Sequence, residues 1–532
     1  MSKNILLAFL GGILLWLGWP PLHFPYLLFV GLVPLLLIEN HFIQNKQKFG
    51  AAKLFGIAFL HFFVWNILTT SWVCEASLVG GIAANLVNCL LMSVPVLLYH
   101  KVRLRFTQCW AMSSIVFFWL GFEYFHLRWD LSWPWLTLGN GFASEPWMVQ
   151  WYEYTGHLGG SVWIWVVNIL VFQVICSSIK KGKIWRQVFG ALFTAIIPVL
   201  FSVFILIFIN QWWFGGGPTV MVVQPNIDPY NEKFEGLSAA EQLKRMLSHA
   251  ESKMDGSEKL LILPETALTD NTEESEIDNA NGVKTIRQFI DSHPQLALIT
   301  GANTYKLYRE GQQHPPTAHR IGDGEVFVEN FNTALLIAKD KPVQYYYKSK
   351  LVPGAEKMPY PKFFSFLESF AIDLGGTSGS LGMQDESEVF DCGEGIVAAP
   401  IICYESNYGE YVSSYVKKGA NLLCIITNDG WWGNTDGYKQ HLMYASLRAI
   451  ETRRYIARSA NTGISCFITP CGEIVEATNW WEPAVIKMKV DINRKKTLYT
   501  QIGDLTGLIG LLGSLVFVIF LSFTKFIFPQ KG

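Results

Sequence analysis

The chain has 532 residues, half of them hydrophobic and only 16% charged, with a formal net charge of -1. Soluble proteins carry about 25% charged residues, so a wholly water-exposed molecule is excluded, and the near-zero net charge argues against a nucleic-acid partner. The shortage of charge is local, because residues 1–213 are almost all apolar runs while residues 218–490 read as an ordinary globular domain.

A membrane span needs roughly 20 mostly apolar residues. Seven candidate segments precede the globular domain, at about 4–19, 24–39, 51–73, 78–99, 110–127, 158–178 and 188–212, and an eighth covers about 505–527. The first is as short as a signal peptide. Gly18-Trp19-Pro20-Pro21 follows it in place of a small-residue cleavage site, so it is expected to be retained. Basic residues mark the cytoplasmic loops of membrane proteins. Lys3 precedes the first segment, Lys46, Lys48 and Lys53 follow the second, Lys101, Arg103 and Arg105 the fourth, and Lys180, Lys181, Lys183 and Arg186 the sixth. The alternate loops hold almost none, Arg128 being the exception. The N-terminus is therefore expected in the cytoplasm and residues 214–500 outside it, with Lys525 and Lys531 back inside after the eighth span. The expected division is 1–213, 214–495 and 496–532.

The loop after the fifth segment, Arg128-Trp129-Asp130-Leu131-Ser132-Trp133-Pro134-Trp135, is rich in tryptophan and reads as an interfacial anchor, with a lipid-headgroup or acceptor surface as the alternative. Glu123 lies at the end of that segment, where an intramembrane carboxylate suggests either a functional role or a structural ion pair with Arg128.

The globular domain alternates strand and helix patterns. Strands are expected at 218–227, 259–263, 295–301, 332–338, 343–347, 397–403, 421–427, 464–475 and 484–490. Helices are expected at 239–253, 283–292, 408–418 and 437–458. The alternation indicates an α/β layered fold. Continuous apolar strands such as Leu260–Leu263, Ile396–Ile402 and Leu422–Thr427 imply a sheet covered on both faces. Residues 353–380 interrupt the pattern with a long connection rich in Pro and Gly. Phe363, Phe364, Phe366 and Phe370 suggest a lid or a membrane-touching arm, with simple packing as the alternative.

Three strand ends carry chemistry. Leu261-Ile262-Leu263-Pro264-Glu265 ends in a carboxylate, Tyr346-Tyr347-Lys348 in an amine, and Ile401-Ile402-Cys403 in a thiol. A thiol attacks as thiolate and ordinarily ionises near pH 8.5, so a base is required, and Glu265 is the candidate. Attack on a carbonyl builds an oxyanion, for which Lys348 and the backbone N–H of Tyr404 are the candidates. No histidine adjoins these motifs in sequence, which argues against a Cys–His pair. The nine cysteines, Cys74, Cys89, Cys109, Cys176, Cys392, Cys403, Cys424, Cys466 and Cys471, form no CxxC pair and no disulfide framework. Each residue alone has a structural explanation, packing for Cys403 and a solvated rim for Glu265 and Lys348. The argument rests on all three occurring together.

The set Leu-Pro-Glu265-Thr, Tyr-x-Lys348-x-x-Leu-Val-Pro and Ile-Cys403-Tyr-Glu resembles the nitrilase, or carbon–nitrogen hydrolase, superfamily. Asn428-Asp429-Gly430-Trp431-Trp432-Gly433, Gln440-His441 and Arg448-Ala449-Ile450-Glu451 fit the same pattern. With its flanking spans, with Gln224-Pro225-Asn226-Ile227, and with Tyr499-x-x-x-Gly503-Asp504, the whole chain is similar to the apolipoprotein N-acyltransferases. Val352-Pro353-Gly354-Ala355-Glu356 departs from that family's Val-Pro-Phe-Gly-Glu, although its glutamate still aligns.

The resemblance implies an α-β-β-α sandwich outside a bacterial inner membrane, beside about eight spans. It implies Glu265 as base, Lys348 as oxyanion stabiliser and Cys403 as the nucleophile that carries a thioester. Glu356 would hold Lys348, and Tyr404 and Glu405 would shape the wall beside the thiol. The acyl donor would be a phospholipid, phosphatidylethanolamine by expectation, and the acceptor a diacylglyceryl-apolipoprotein. The enzyme would act as a monomer without metal or organic cofactor. A membrane-tethered amidase acting on a small amide shares the Glu-Lys-Cys set and stays open at this point, as does a transporter or receptor with an outer binding domain.

Overall fold

The structure is a computed structural model and describes residues 1–45, 50–179, 184–209, 216–233, 236–322, 324–360 and 380–527. It divides into two compact units, Met1–Phe208 with Ile502–Gly532, and Ile209–Gln501.

In the first unit a helix occupies each of the eight apolar segments. Among the described residues six helices are long and apolar enough to cross a membrane: Pro25–Gln44, Ala51–Thr70, Leu78–Arg103, His157–Ile179, Trp185–Phe208 and Leu505–Phe523. Ser2–Leu17 is apolar but shorter, and Gln108–His126 packs along the last helix. The expected Glu123–Arg128 pair does not form. Glu123 accepts hydrogen bonds from Trp119 Nε1 and from the Leu138 N–H, each at 2.8 Å. Arg128 instead pairs with Asp504 at 3.0 Å and lies over the Tyr124 ring. The physical reason is that Leu138–Phe142 folds inward as a buried 3-10 turn and brings a backbone donor to Glu123. Trp135 is buried with that turn and packs on Trp72, so it is a core residue of this unit and not an anchor.

The second unit is built on two sheets. The first contains β1 (Thr219–Gln224), β2 (Glu258–Ile262), β3 (Leu268–Glu273), β4 (Ala297–Tyr308), β5 (His319–Arg320), β6 (Phe327–Ala338) and β7 (Gln344–Tyr347). The second contains β8 (Phe390–Gly393), β9 (Ile396–Ile402), β10 (Leu422–Thr427), β11 (Tyr455–Ala460), β12 (Cys466–Ile468) and β13 (Ile474–Val475), while β14 (Ala484–Lys489) returns to pair antiparallel with β1 in the first sheet. The inner strands β1-β2-β4 and β9-β10-β11 run parallel.

Side-chain alternation explains the continuous apolar runs. Val220, Val222, Leu260, Ile262 and Ile299 face the second sheet and pack with Ile401, Leu423 and Ile425. Met221, Val223, Leu261, Leu263 and Leu298 face the opposite way, onto helices Ala239–Glu251 and Asn281–Asp291. Each fully buried aliphatic side chain contributes roughly 1.5–3 kcal/mol, so neither face of these strands tolerates polarity.

The expected single helix at 437–458 ends at Thr452. Arg453 takes a left-handed φ of 50° and the chain restarts as β11. Helical periodicity continues past this point in sequence because β11 is buried on both faces and therefore also apolar. The phenylalanines at 363, 364, 366 and 370 lie outside the described residues.

Candidate active site

The three chemistry-bearing residues sit just beyond strand ends and converge. Glu265 follows β2 by way of Pro264, whose carbonyl accepts the Gly301 N–H at 3.1 Å. A Cβ on Gly301 would stand 2.3 Å from the Thr266 nitrogen and 2.7 Å from the Glu265 Cα, so only glycine lets this turn lie against β4. The Glu265 carboxylate is buried and receives three donors. Oε1 accepts from Asn332 Nδ2 at 2.8 Å and Lys348 Nζ at 3.1 Å, and Oε2 accepts the Asn428 N–H at 2.9 Å.

Lys348 follows β7, and its own N–H is tied to the Asn332 carbonyl at 2.9 Å. Its ammonium is 1% exposed and lies 2.7 Å from Glu356 Oε1 as well as 3.1 Å from Glu265. Burial alone would lower its pKa, but the two carboxylates outweigh burial and hold it above its usual range. Lys348 is therefore a fixed positive charge. Glu356 also accepts from Asn332 at 3.1 Å and from the Val352 N–H at 2.9 Å. Gly354 has a φ of 82°, which suits the glycine in this departure from the family pattern, and its N–H closes the turn onto the Lys357 carbonyl at 2.8 Å.

Cys403 ends β9 with a φ of 48°. A non-glycine residue held there costs of order 1–3 kcal/mol and persists only where its surroundings impose it. Burial raises the thiol pKa, the Glu265 charge raises it further, and Lys348 opposes both. Glu405 supplies part of the imposition. Its Oε2 accepts the Ile402 N–H at 2.9 Å, and its Oε1 accepts the Ser349 N–H at 2.7 Å and the Tyr346 hydroxyl at 2.5 Å. Glu405 therefore ties the Cys403 turn to the strand that carries Lys348, a more specific task than lining a wall. Tyr404 is buried and its ring packs edge-on to Tyr408.

The sequence argument missed Asn332, which bridges Glu265 and Glu356, and the backbone donor of Asn428. It named His441 only as part of the Gln440-His441 match and gave it no contact with the thiol. His441, 38 residues downstream, places Nε2 3.2 Å from the Cys403 carbonyl oxygen. The histidine thus meets the main chain of Cys403, a contact that adjacency in sequence could not reveal. Among the described residues no cluster of His, Cys, Asp and Glu suits a metal ion.

Comparison with known proteins agrees with this layout. Residues 219–498 match the carbon-nitrogen hydrolase family and residues 11–170 match the apolipoprotein N-acyltransferase N-terminal domain. The apolipoprotein N-acyltransferase of Chlorobaculum tepidum is 32% identical over 95% of this chain and 94% of its own length. That of Geobacter metallireducens is 25% identical over 94% of this chain and 92% of its own.

Proposed function

The chain belongs to the apolipoprotein N-acyltransferase family, and from that premise we propose that it acylates the N-terminal diacylglyceryl-cysteine of lipoproteins through a thioester on Cys403. Glu265 takes the Sγ proton of Cys403. The thiolate attacks the sn-1 ester carbonyl of a phospholipid, phosphatidylethanolamine in our reading, and Lys348 stabilises the oxyanion. The ester C–O bond breaks, the lysophospholipid oxygen leaves with the proton held by Glu265, and the acyl group stays on sulfur.

The α-amino group of the acceptor then attacks the thioester. Its ordinary pKa of about 7.7–8.0 leaves a usable neutral fraction near pH 7. Its surplus proton passes through Glu265 to the departing Cys403 sulfur, which restores the thiol and leaves an amide. The scheme is ping-pong covalent catalysis, and its steps draw on these side chains alone. Glu356 keeps Lys348 in place, and Glu405 and Tyr404 support the turn.

The observation that carries this reading is the convergence of a carboxylate and an ammonium 3.1 Å apart with a buried thiol held at positive φ. The loop charges support eight spans, with both termini cytoplasmic and the catalytic unit outside the cytoplasm of a bacterial inner membrane. That is the side where both lipid substrates would be reached, and a monomer suffices.

Two-substrate kinetics test the proposal. Varying phospholipid at several concentrations of a diacylglyceryl peptide is expected to give parallel double-reciprocal lines. Intersecting lines would contradict a thioester intermediate. Hydrolysis of small amides with no phospholipid dependence would instead make the protein a membrane-tethered amidase.

A further inference from the structure

We infer that His441 is a positioning residue for acyl transfer, clamping the main chain of Cys403 so that its sulfur stays aimed at Glu265 and Lys348. The inference rests on the reading of Cys403 as nucleophile. The left-handed turn at Cys403 has to be imposed from outside, and its carbonyl oxygen accepts two side-chain hydrogen bonds. One comes from Ser406 Oγ at 2.8 Å and one from His441 Nε2 at 3.2 Å, and Nε2 also lies 2.9 Å from Ser406 Oγ, so the imidazole holds the carbonyl both directly and through the serine hydroxyl.

The imidazole is itself fixed. Its Nδ1 faces Asp429 Oδ1 at 3.0 Å. Asp429 also accepts from Thr427 Oγ1 at 2.7 Å and from Arg458 Nη2 at 2.5 Å. The Trp432 ring packs edge-on to the imidazole. A Cβ at position 463 would stand 2.8 Å from Asp429 Oδ2, so glycine there leaves the carboxylate its place. His441, Asp429, Arg458, Thr427 and Ser406 are all buried.

Thr427 ends β10, Arg458 lies on β11 and His441 on the helix Asp436–Thr452. The clamp therefore references the Cys403 turn to the second sheet, whereas Glu265 and Lys348 are held on the first. A buried ion pair is weak evidence for stability, since apolar residues of equal volume often serve as well. A geometric task at the nucleophile accounts for this one.

The test uses full-length protein in phospholipid-containing micelles. Single-turnover acylation of Cys403 is followed by intact mass against donor concentration, with a thermal melt of each variant. His441→Leu is expected to slow acylation at saturating donor by about 10²-fold, the cost of a displacement near 1 Å. Its half-saturating donor concentration should stay within about threefold of wild type, because no lipid contact is lost. His441→Gln, which keeps a donor near the Nε2 position, should recover most of the rate. The inference is overturned if folded His441→Leu acylates at the wild-type rate, or if folded His441→Gln is as slow as His441→Leu. Should His441→Leu fail to fold, Ser406→Ala reads the same carbonyl. A slowed rate at unchanged half-saturation then supports the clamp and a wild-type rate overturns it. Failure of the wild type itself to acylate would count against the nucleophile assignment and not against the clamp.

Discussion

Cys403 sits in surroundings that resist its ionisation, since burial and the nearby Glu265 charge both keep the proton on sulfur. In the proposed mechanism the thiolate is made during the reaction, with Glu265 as acceptor and the Lys348 charge offsetting the cost. Glu265→Gln keeps the shape and loses the base. It is expected to cut acylation at least 10²-fold, within the usual range for a general base, with the melting temperature nearly unchanged; a rate near wild type would remove Glu265 from the mechanism. Asp429 gives a separate prediction in pH. Burial opposes its charge, but Arg458 and His441 outweigh burial and hold the carboxyl well below the usual carboxylate range. A depressed folded pKa means a contribution to stability that is present above the unfolded value of about 3.9 and is lost as pH falls through the folded one. The gap in melting temperature between wild type and Asp429→Asn should be steady from about pH 5 to 8 and narrow below about pH 4. A gap that widens on acidification would reverse the assignment.

Strand ends and the turns after them decide what reaches the site. Gly301 is the clearest case, because any side chain there would push on backbone atoms of Glu265 and Thr266. Gly301→Ala is expected to lower the acylation rate about 10²-fold by moving the base, and to cost roughly 1–3 kcal/mol as an overpacked contact in a thermal or denaturant melt. An unchanged rate would show that the position of this turn is not critical. The strands that present Glu265 and Cys403 were legible in sequence as continuous apolar runs that stop at a polar residue, and the one before Lys348 as a run of three tyrosines. Strand β3 was not legible, since most of its residues are partly or fully exposed and it carries no apolar alternation. Strand β11 was hidden because its buried residues prolong the pattern of the preceding helix. Asn332 and His441 were hidden for a different reason. Each sits within a regular element, and only strand pairing within the first sheet brings Asn332 to Glu265 and Lys348, and only helix packing on the second brings His441 to Cys403. Glu405 was visible as a residue of the motif, yet its tie to the Lys348 strand needed the fold.

Across the whole molecule, a domain of carbon-nitrogen hydrolase type is inserted between long apolar helices, and the proposal that it lies outside the cytoplasm rests on the loop charges. Alkaline phosphatase fused after residue 310 is expected to be active, and the same reporter fused after residue 104 inactive. The opposite pattern would place the catalytic unit in the cytoplasm and contradict access to outer-leaflet lipid. The central claim is the acyl group on Cys403. The most direct measurement is intact mass spectrometry of purified protein after incubation with a phospholipid of defined acyl chains, beside Cys403→Ala. The account predicts a mass increase of one acyl group, mapped to Cys403, absent from Cys403→Ala, and discharged on adding a diacylglyceryl peptide with a free amine. No adduct with any phospholipid, or an adduct that persists in Cys403→Ala, would contradict it.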